Sequence, residues 1–382
     1  EYKNDFVNPK AGGTVSIRKP VKFYTADGAT RVNQDVEEGN TTISIDQRKH
    51  VSWAFKTQDL TLSIEQYSER YIKPAMITLA NTMDATGYSL YKNLHMHVGA
   101  PGTTPDTYAR VSPAARRMDE MAVPQDRRTL FLNPEAHHSI AGDQVGLQQQ
   151  AMVSTAYKEA QIGRIAGMDA MSAQNIVSHT VGAYAGAPLV NGAGQTKAYG
   201  DTDDLDTSKK VRETDRQKLA TDGWTGSLKA GDVITIAGVF AVNPVPGEGS
   251  TGKTVMPYLK EFVITQDVNA GTDLVISPAI ITSGPYQTVS AAPADNAVIT
   301  VKGTASTAYP QNLALHRNAF ALVMCPLDMP DGAAFKARES YDGLSLRVVK
   351  DYDIDTDDDI IRIDALYGWK AVYPELGVRL TG

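Results

Sequence analysis

The residues whose types and spacing come nearest to a known chemistry are Gly247-Glu248-Gly249-Ser250-Thr251-Gly252-Lys253-Thr254. They match G-x-x-x-x-G-K-[ST], in which backbone N–H groups cradle phosphate while the lysine and hydroxyl reach phosphate oxygens and magnesium. That chemistry requires a strand before the loop and a helix directly after it. Here Pro244 and Pro246 interrupt the approach, and Pro257 with another strand-like run follows within a few residues. The sequence predicts a Gly-rich hairpin loop with a solvated lysine.

A second constellation is acidic: Asp351, Asp353, Asp355, Asp357, Asp358 and Asp359 place six carboxylates in nine residues. An EF-hand loop counted from Asp351 wants Gly at its sixth position and Glu at its twelfth, where Thr356 and Arg362 stand. No metal site is expected, Asp353, Asp355 and Asp357 being the nearest candidates. The run reads as a solvated turn between closing strands. Its rival reading is a contact loop, which would demand lysine, arginine or a hard cation opposite it wherever copies meet. The histidine pairs His95/His97 and His137/His138 lack the i, i+4 spacing and intervening Glu of a hydrolytic zinc site. Cys325, the one cysteine, excludes an internal disulfide and reads as a buried strand thiol. No cofactor and no catalytic residue are predicted.

These residues need elements to carry them. A chain of 382 residues favours two or three domains, and 31 Gly with 19 Pro tilt it towards strands and turns. A net charge of −7 without a basic stripe argues against a general nucleic-acid binder. No apolar run approaches the roughly 20 residues that cross a bilayer, and no signal-peptide pattern is present. Residues 74–94 carry apolar side chains at three- and four-residue steps and predict a long helix, with Pro74 in its first turn. Ser63 and Gln66 predict a capping box for a shorter helix before it. Upstream, 14–24 and 41–62 both alternate, predicting a long two-stranded arm with a polar tip at 27–40. Helices are expected within 105–121, from Asn133 and over 147–160. Strands are expected at 129–132 and 164–173, with helical and mixed character over 313–324. Short strands at 232–242, 262–265, 274–277 and 298–301 predict an all-β module of barrel or sandwich type. The closing strands fall at 344–349 and 360–373.

The order of arm, long helix, α/β body and closing strands resembles the major capsid proteins of tailed double-stranded DNA phages, the Hong Kong 97-like fold. The stretches that carry the likeness are 14–94, Gln161-Ile-Gly-Arg-Ile-Ala-Gly-Met-Asp169, and the closing run that opens Arg362-Ile-Asp-Ala-Leu-Tyr-Gly-Trp369 and continues to Leu380. Lys229-Ala-Gly-Asp-Val-Ile-Thr-Ile-Ala-Gly-Val239 is similar to the opening of the inserted β-barrel of short-tailed phage coat proteins of the P22 type. The resemblance implies an α+β chain with an N-terminal arm remnant at 1–13 and an E-loop at 14–62. It further implies a peripheral domain at 63–124 and 341–382 with a spine helix at 74–94, an axial domain at 125–187 and 307–340, and an inserted β-barrel at 188–306. It implies a non-enzymatic shell protein of the virion, assembled in the host cytoplasm into hexamers and pentamers of an icosahedral head. The implied partners are other copies, a scaffolding protein, a portal and a decoration protein, with DNA enclosed without sequence-specific contact and no membrane. Assembly contacts are expected at Arg18, Lys22, Asp35, Glu37, Glu38, Trp53, Phe55, Asp201, Asp203, Asp204, Asp351, Asp357, Asp358 and Asp359. The alternatives are a P-loop nucleotide-binding protein and a monomeric ligand-binding β module.

Overall fold

The computed structural model describes residues 14–23, 28–31, 33–34, 36–56, 68–145, 162–245, 253–341 and 343–381. The predicted capping box at Ser63 and the helix at 147–160 lie outside them. The chain divides into two compact units, one drawn from 1–17, 42–88 and 320–370 and the other from 18–41, 89–319 and 371–382.

In the first unit the helix Lys73–Tyr88 runs for 16 residues, about 24 Å at about 1.5 Å each. Its α-helical ladder stops at Tyr88, and Ser89–Asn93 continues as 3₁₀ turn, so the predicted 74–94 rod is two elements. The hydroxyls of Thr78, Thr82 and Thr86 donate back to the carbonyls four residues earlier at 2.8–2.9 Å, which satisfies a polar stripe locally. On the adjoining line of the same side, Ala75 and Leu79 are buried against Ile363, Ala365 and Tyr367 of the long strand Asp358–Ala371, and Thr86 Oγ1 lies 3.3 Å from the Tyr367 hydroxyl. That strand obeys the two-residue period of a sheet, with Ile361, Ile363, Ala365 and Tyr367 all buried. Trp369 donates from Nε1 to the Met83 carbonyl at 3.1 Å. Its indole lies over Gly87, where an added Cβ would come within 3.0 Å of the ring.

Asp358–Ala371 pairs with Leu344–Asp353 and Gln47–Lys56, both antiparallel, and with Phe320–Met324. This corrects the predicted arm. The two-stranded ribbon is only Thr14–Arg18 with Asn40–Ser44, closed by Lys19 N–H to the Gly39 carbonyl at 2.7 Å. After a break at 45–46, Gln47–Lys56 leaves it and pairs over ten residues, Gln47 with Tyr367 through Lys56 with Asp358. An isolated ribbon is marginal in water, whereas this register places Val51 and Trp53 against the helix.

The second unit holds a six-stranded sheet in the order His97–Val98, Gly377–Leu380, Asn312–His316, Arg128–Leu132, Met168–Ser172, Arg164–Ile165. The helix Tyr108–Glu120 buries Val111, Ala114, Ala115 and Met118 in the same core as Leu130, Leu132, Met168 and Val378. Residues 313–324 are strands, not helical: Asn312–His316 is buried at every position between two partners, and Phe320–Met324, which belongs to the first unit, follows. A five-residue segment buried on both faces is too short for its pattern to distinguish strand from helix. The predicted strand 164–173 is a hairpin turned by Ala166 and Gly167, both at positive φ, as a two-residue primed turn requires. Cys325 lies one residue beyond Phe320–Met324 and is half-buried rather than enclosed.

The same unit contains the β module. A five-stranded antiparallel sheet, Gln217–Leu219, Leu274–Ser277, Val255–Ile264, Val233–Val242, Ile299–Val301, shares one core with the three-stranded sheet of Val268–Asn269, Thr221–Leu228 and Tyr184–Val190. Phe262, Ile234, Ile236 and Ile264 from the larger sheet pack with Trp224 and Leu228 from the smaller.

Candidate assembly surface

The acidic run forms the tip of the closing hairpin. Leu344–Asp353 and Asp358–Ala371 pair up to Asp353 opposite Asp358, leaving 354–357 as the turn with Asp357 left-handed at φ 57°. Asp351, Asp353, Asp358 and Asp359 are therefore strand-end residues rather than members of a loop. Asp353 accepts the Asp355 N–H at 3.0 Å, Tyr352 donates its hydroxyl to Asp357 at 2.8 Å, and Lys350 pairs with Asp359 at 3.0 Å. Among the described residues no group of three His, Cys, Asp or Glu could hold an ion, and two of these carboxylates are engaged in closing the turn. Among them stands Ile354, 82% exposed, with Tyr352 and Ile360 also exposed. The tip is an apolar knob ringed by carboxylates.

Below the tip, Asp364 has no solvent exposure and accepts from Arg48 at 3.0 Å, Arg347 at 2.6 Å and Arg362 at 2.9 Å. Burial pushes its carboxyl up, but the hydrogen bonds of Arg48 and Arg347 and the charge of Arg362 outweigh that and leave it below the ordinary range. The clamp ties Gln47–Lys56, Leu344–Asp353 and Asp358–Ala371 together. Sequence reasoning passed over Asp364 and Ile354. Their only signals were an aspartate two residues after Arg362 in an apolar strand and an isoleucine inside an acidic run.

The other expected contact residues are more committed to their own chain. Arg18 and Glu38 form an exposed pair at 3.2 Å. Lys22 meets Glu375 at 3.7 Å, and its backbone N–H reaches the hydroxyl of Tyr286, which donates in turn to the Glu37 carbonyl at 2.9 Å. Asp35 lies outside the described residues. Trp53 and Phe55, expected to bury on a neighbour, are half-buried at home, Trp53 against the helix cluster and Phe55 edge-on to Tyr71 at 4.8 Å. Asp203 is fully buried on Arg216 at 2.7 Å, Asp204 pairs with Lys197 at 2.5 Å, and Asp201 accepts the Ala198 N–H. These three carboxylates fold their own turn.

The phosphate-loop pattern is overturned at its end. Thr254 is followed directly by the strand Val255–Ile264, so there is no helix N-terminus to receive phosphate. Lys253 is not solvated: it is 7% exposed and donates to the Gln287 carbonyl at 3.0 Å. The histidines also divide by burial. His95 and His97 are enclosed, and burial followed by the charges of Arg379, Lys302 and Arg117 takes His97 down to about 3. His137 and His138 stack edge-on with ring centroids 5.7 Å apart.

A family model described as "P22 coat protein - gene protein 5" matches residues 2–382. The "Major capsid protein" of Acyrthosiphon pisum secondary endosymbiont phage 1 is 23% identical over 396 residues, covering 98% of this chain and 90% of that protein. Among solved structures, one from Mycobacterium phage Che8 aligns at 13% identity and TM-score 0.49, covering 96% of this chain and 84% of that one. The capsid of Cyanophage P-SCSP1u aligns at 10% identity and TM-score 0.47, covering 97% and 84%.

Proposed function

This chain belongs to the P22 coat protein family, and on that premise we propose how its copies meet in the shell. It is a phage major capsid protein, a structural component of the icosahedral head. The family is one of structural proteins, and among the described residues no helix is long and apolar enough to cross a membrane. The observation that carries the function is the family match across nearly the whole chain.

In this reading the copies close into hexamers and pentamers, each contact weak and the sum fixed by symmetry. The segment 14–62 acts as the E-loop and the β module at 188–306 as the insertion. Scaffolding protein, portal and decoration protein are the further partners, and DNA is enclosed without sequence-specific contact. The hairpin tip is the contact we assign first. Ile354 would bury on a neighbour, an aliphatic side chain being worth about 1.5–3 kcal/mol when fully covered. Asp351, Asp357, Asp358 and Asp359 around it would set register against a cationic surface more than they add affinity. Arg18 and Glu38, exposed on the ribbon, form a second contact. Trp53 and Phe55 contribute only the half of their surface that their own chain leaves open.

Ile354→Asp tests the tip. A substitution on an exposed turn should leave subunit stability within about 0.5 kcal/mol, while shell yield in sedimentation falls at least tenfold. Shells formed in normal yield would remove the tip from the interface.

A further inference from the structure

A cavity of about 110 Å³ is lined by five cationic side chains, Lys19, Lys22, Arg212, Lys253 and Lys260, against two carboxylates, Asp215 and Glu375. Lys260 is 6% exposed and Lys253 7%. Lys253 donates to a neutral carbonyl, that of Gln287. Among the described residues Lys260 has no side-chain hydrogen bond or ion pair, and the one cation–carboxylate pair on the wall is Lys22 with Glu375 at 3.7 Å. His95, 4% exposed, lines the same space with Nε2 buried and unpartnered. Its ring is held neutral by burial, then by the charges of Lys260 and Arg117, and a neutral imidazole can offer one N–H.

Asp215, Glu261 and Glu375 act on Lys260 through space but form no ion pair with it; buried ammonium groups without a paired counter-ion are unfavourable, and unsatisfied buried donors add to the cost. Water can accept from them but cannot neutralise them. The cavity exceeds what one water needs and is smaller than the roughly 300–1,000 Å³ of sites that enclose drug-sized ligands. A small multivalent anion fits both limits, and the oxygens of a tetrahedral one accept from several directions at once. We propose that this cavity binds a phosphate-class oxyanion, held by Lys253 and Lys260 of the β module and by Lys22 of segment 18–41.

The bound anion ties segment 18–41 to the module, adding to the hydrogen bonds that Tyr286 makes with Lys22 and Glu37. It also accounts for the lysine of the apparent phosphate loop: Lys253 faces an anion site of another geometry, assembled from residues distant in sequence. The phosphate could be free or part of a nucleic-acid backbone, and cavity size favours the free ion.

The test is calorimetric titration of the full chain, dialysed free of phosphate, with inorganic phosphate in one arm and a short single-stranded oligonucleotide in the other. Saturable binding of one phosphate per chain is expected, weakened at least tenfold by Lys260→Met and by Lys253→Met. Oligonucleotide binding with the same sensitivity would assign the site to backbone phosphate. Lys22→Met, at a half-exposed position that tolerates replacement, should weaken binding at least threefold and serves if the buried variants do not fold. No saturable binding to the wild-type chain in either arm, or affinity unchanged in the folded variants, would overturn the proposal. The outcome does not depend on shell assembly.

Discussion

At the scale of single residues, the buried polar groups hold the architecture more than they advertise a site. His97 is enclosed with Thr381 Oγ1 at 2.8 Å from Nε2 and its backbone N–H on Glu261 at 3.0 Å. The charged groups around it are Glu261, Arg117, Lys302 and Arg379. Because its folded pKa lies near 3, below the ordinary histidine value, protons bind the unfolded chain first as pH falls. Stability is thus unaffected by this group above about pH 6.5 and declines from there towards pH 3. Between pH 7 and pH 5 the loss from His97 alone is about 2 kcal/mol. Urea midpoints of the dissociated subunit at the two pH values should separate by less in His97→Gln than in the wild type, and equal separations would contradict the assignment. The sequence showed the histidines as pairs but not their enclosure. Burial at His97 comes from residues 164 and 284 positions further along, Glu261 and Thr381, which no local pattern encodes.

Among elements, the long helix was legible because its apolar residues keep a helical period over several turns. The strands of the β module were legible through their alternation and the turns between them. What failed were short apolar segments and the partner of a strand. Asn312–His316 is only five residues long, too short for its alternation to distinguish strand from helix. Gln47–Lys56 was read as strand correctly, but its pairing with Asp358–Ala371 depends on a register chosen across 300 residues. The helix makes its own demand at Gly87, which the sequence placed on the apolar face without giving a reason for glycine. The reason is Trp369, pinned by its bond to the Met83 carbonyl. Gly87→Val should destabilise the subunit by about 1–3 kcal/mol, as overpacking does, in equilibrium urea unfolding. A neutral or stabilising result would mean that the indole can move aside.

At the scale of the whole molecule, the chain is a phage major capsid protein. The acidic hairpin, the ribbon and the β module are presented by cores that bury their own polar groups, as Asp364 and Asp203 illustrate. Function was legible here through the order of elements rather than through any one motif, the sharpest motif being the misleading one at Lys253. The candidate surface was legible only in part. Charge marked the hairpin tip, but Asp203 and Asp204 are indistinguishable by sequence from acids that face solvent. The most direct test of the account is particle size, measured by sedimentation with electron microscopy on the purified protein co-expressed with its scaffolding protein. Closed shells or ring-shaped capsomers are predicted; a homogeneous monomer that stays monomeric with scaffold supplied would contradict the account.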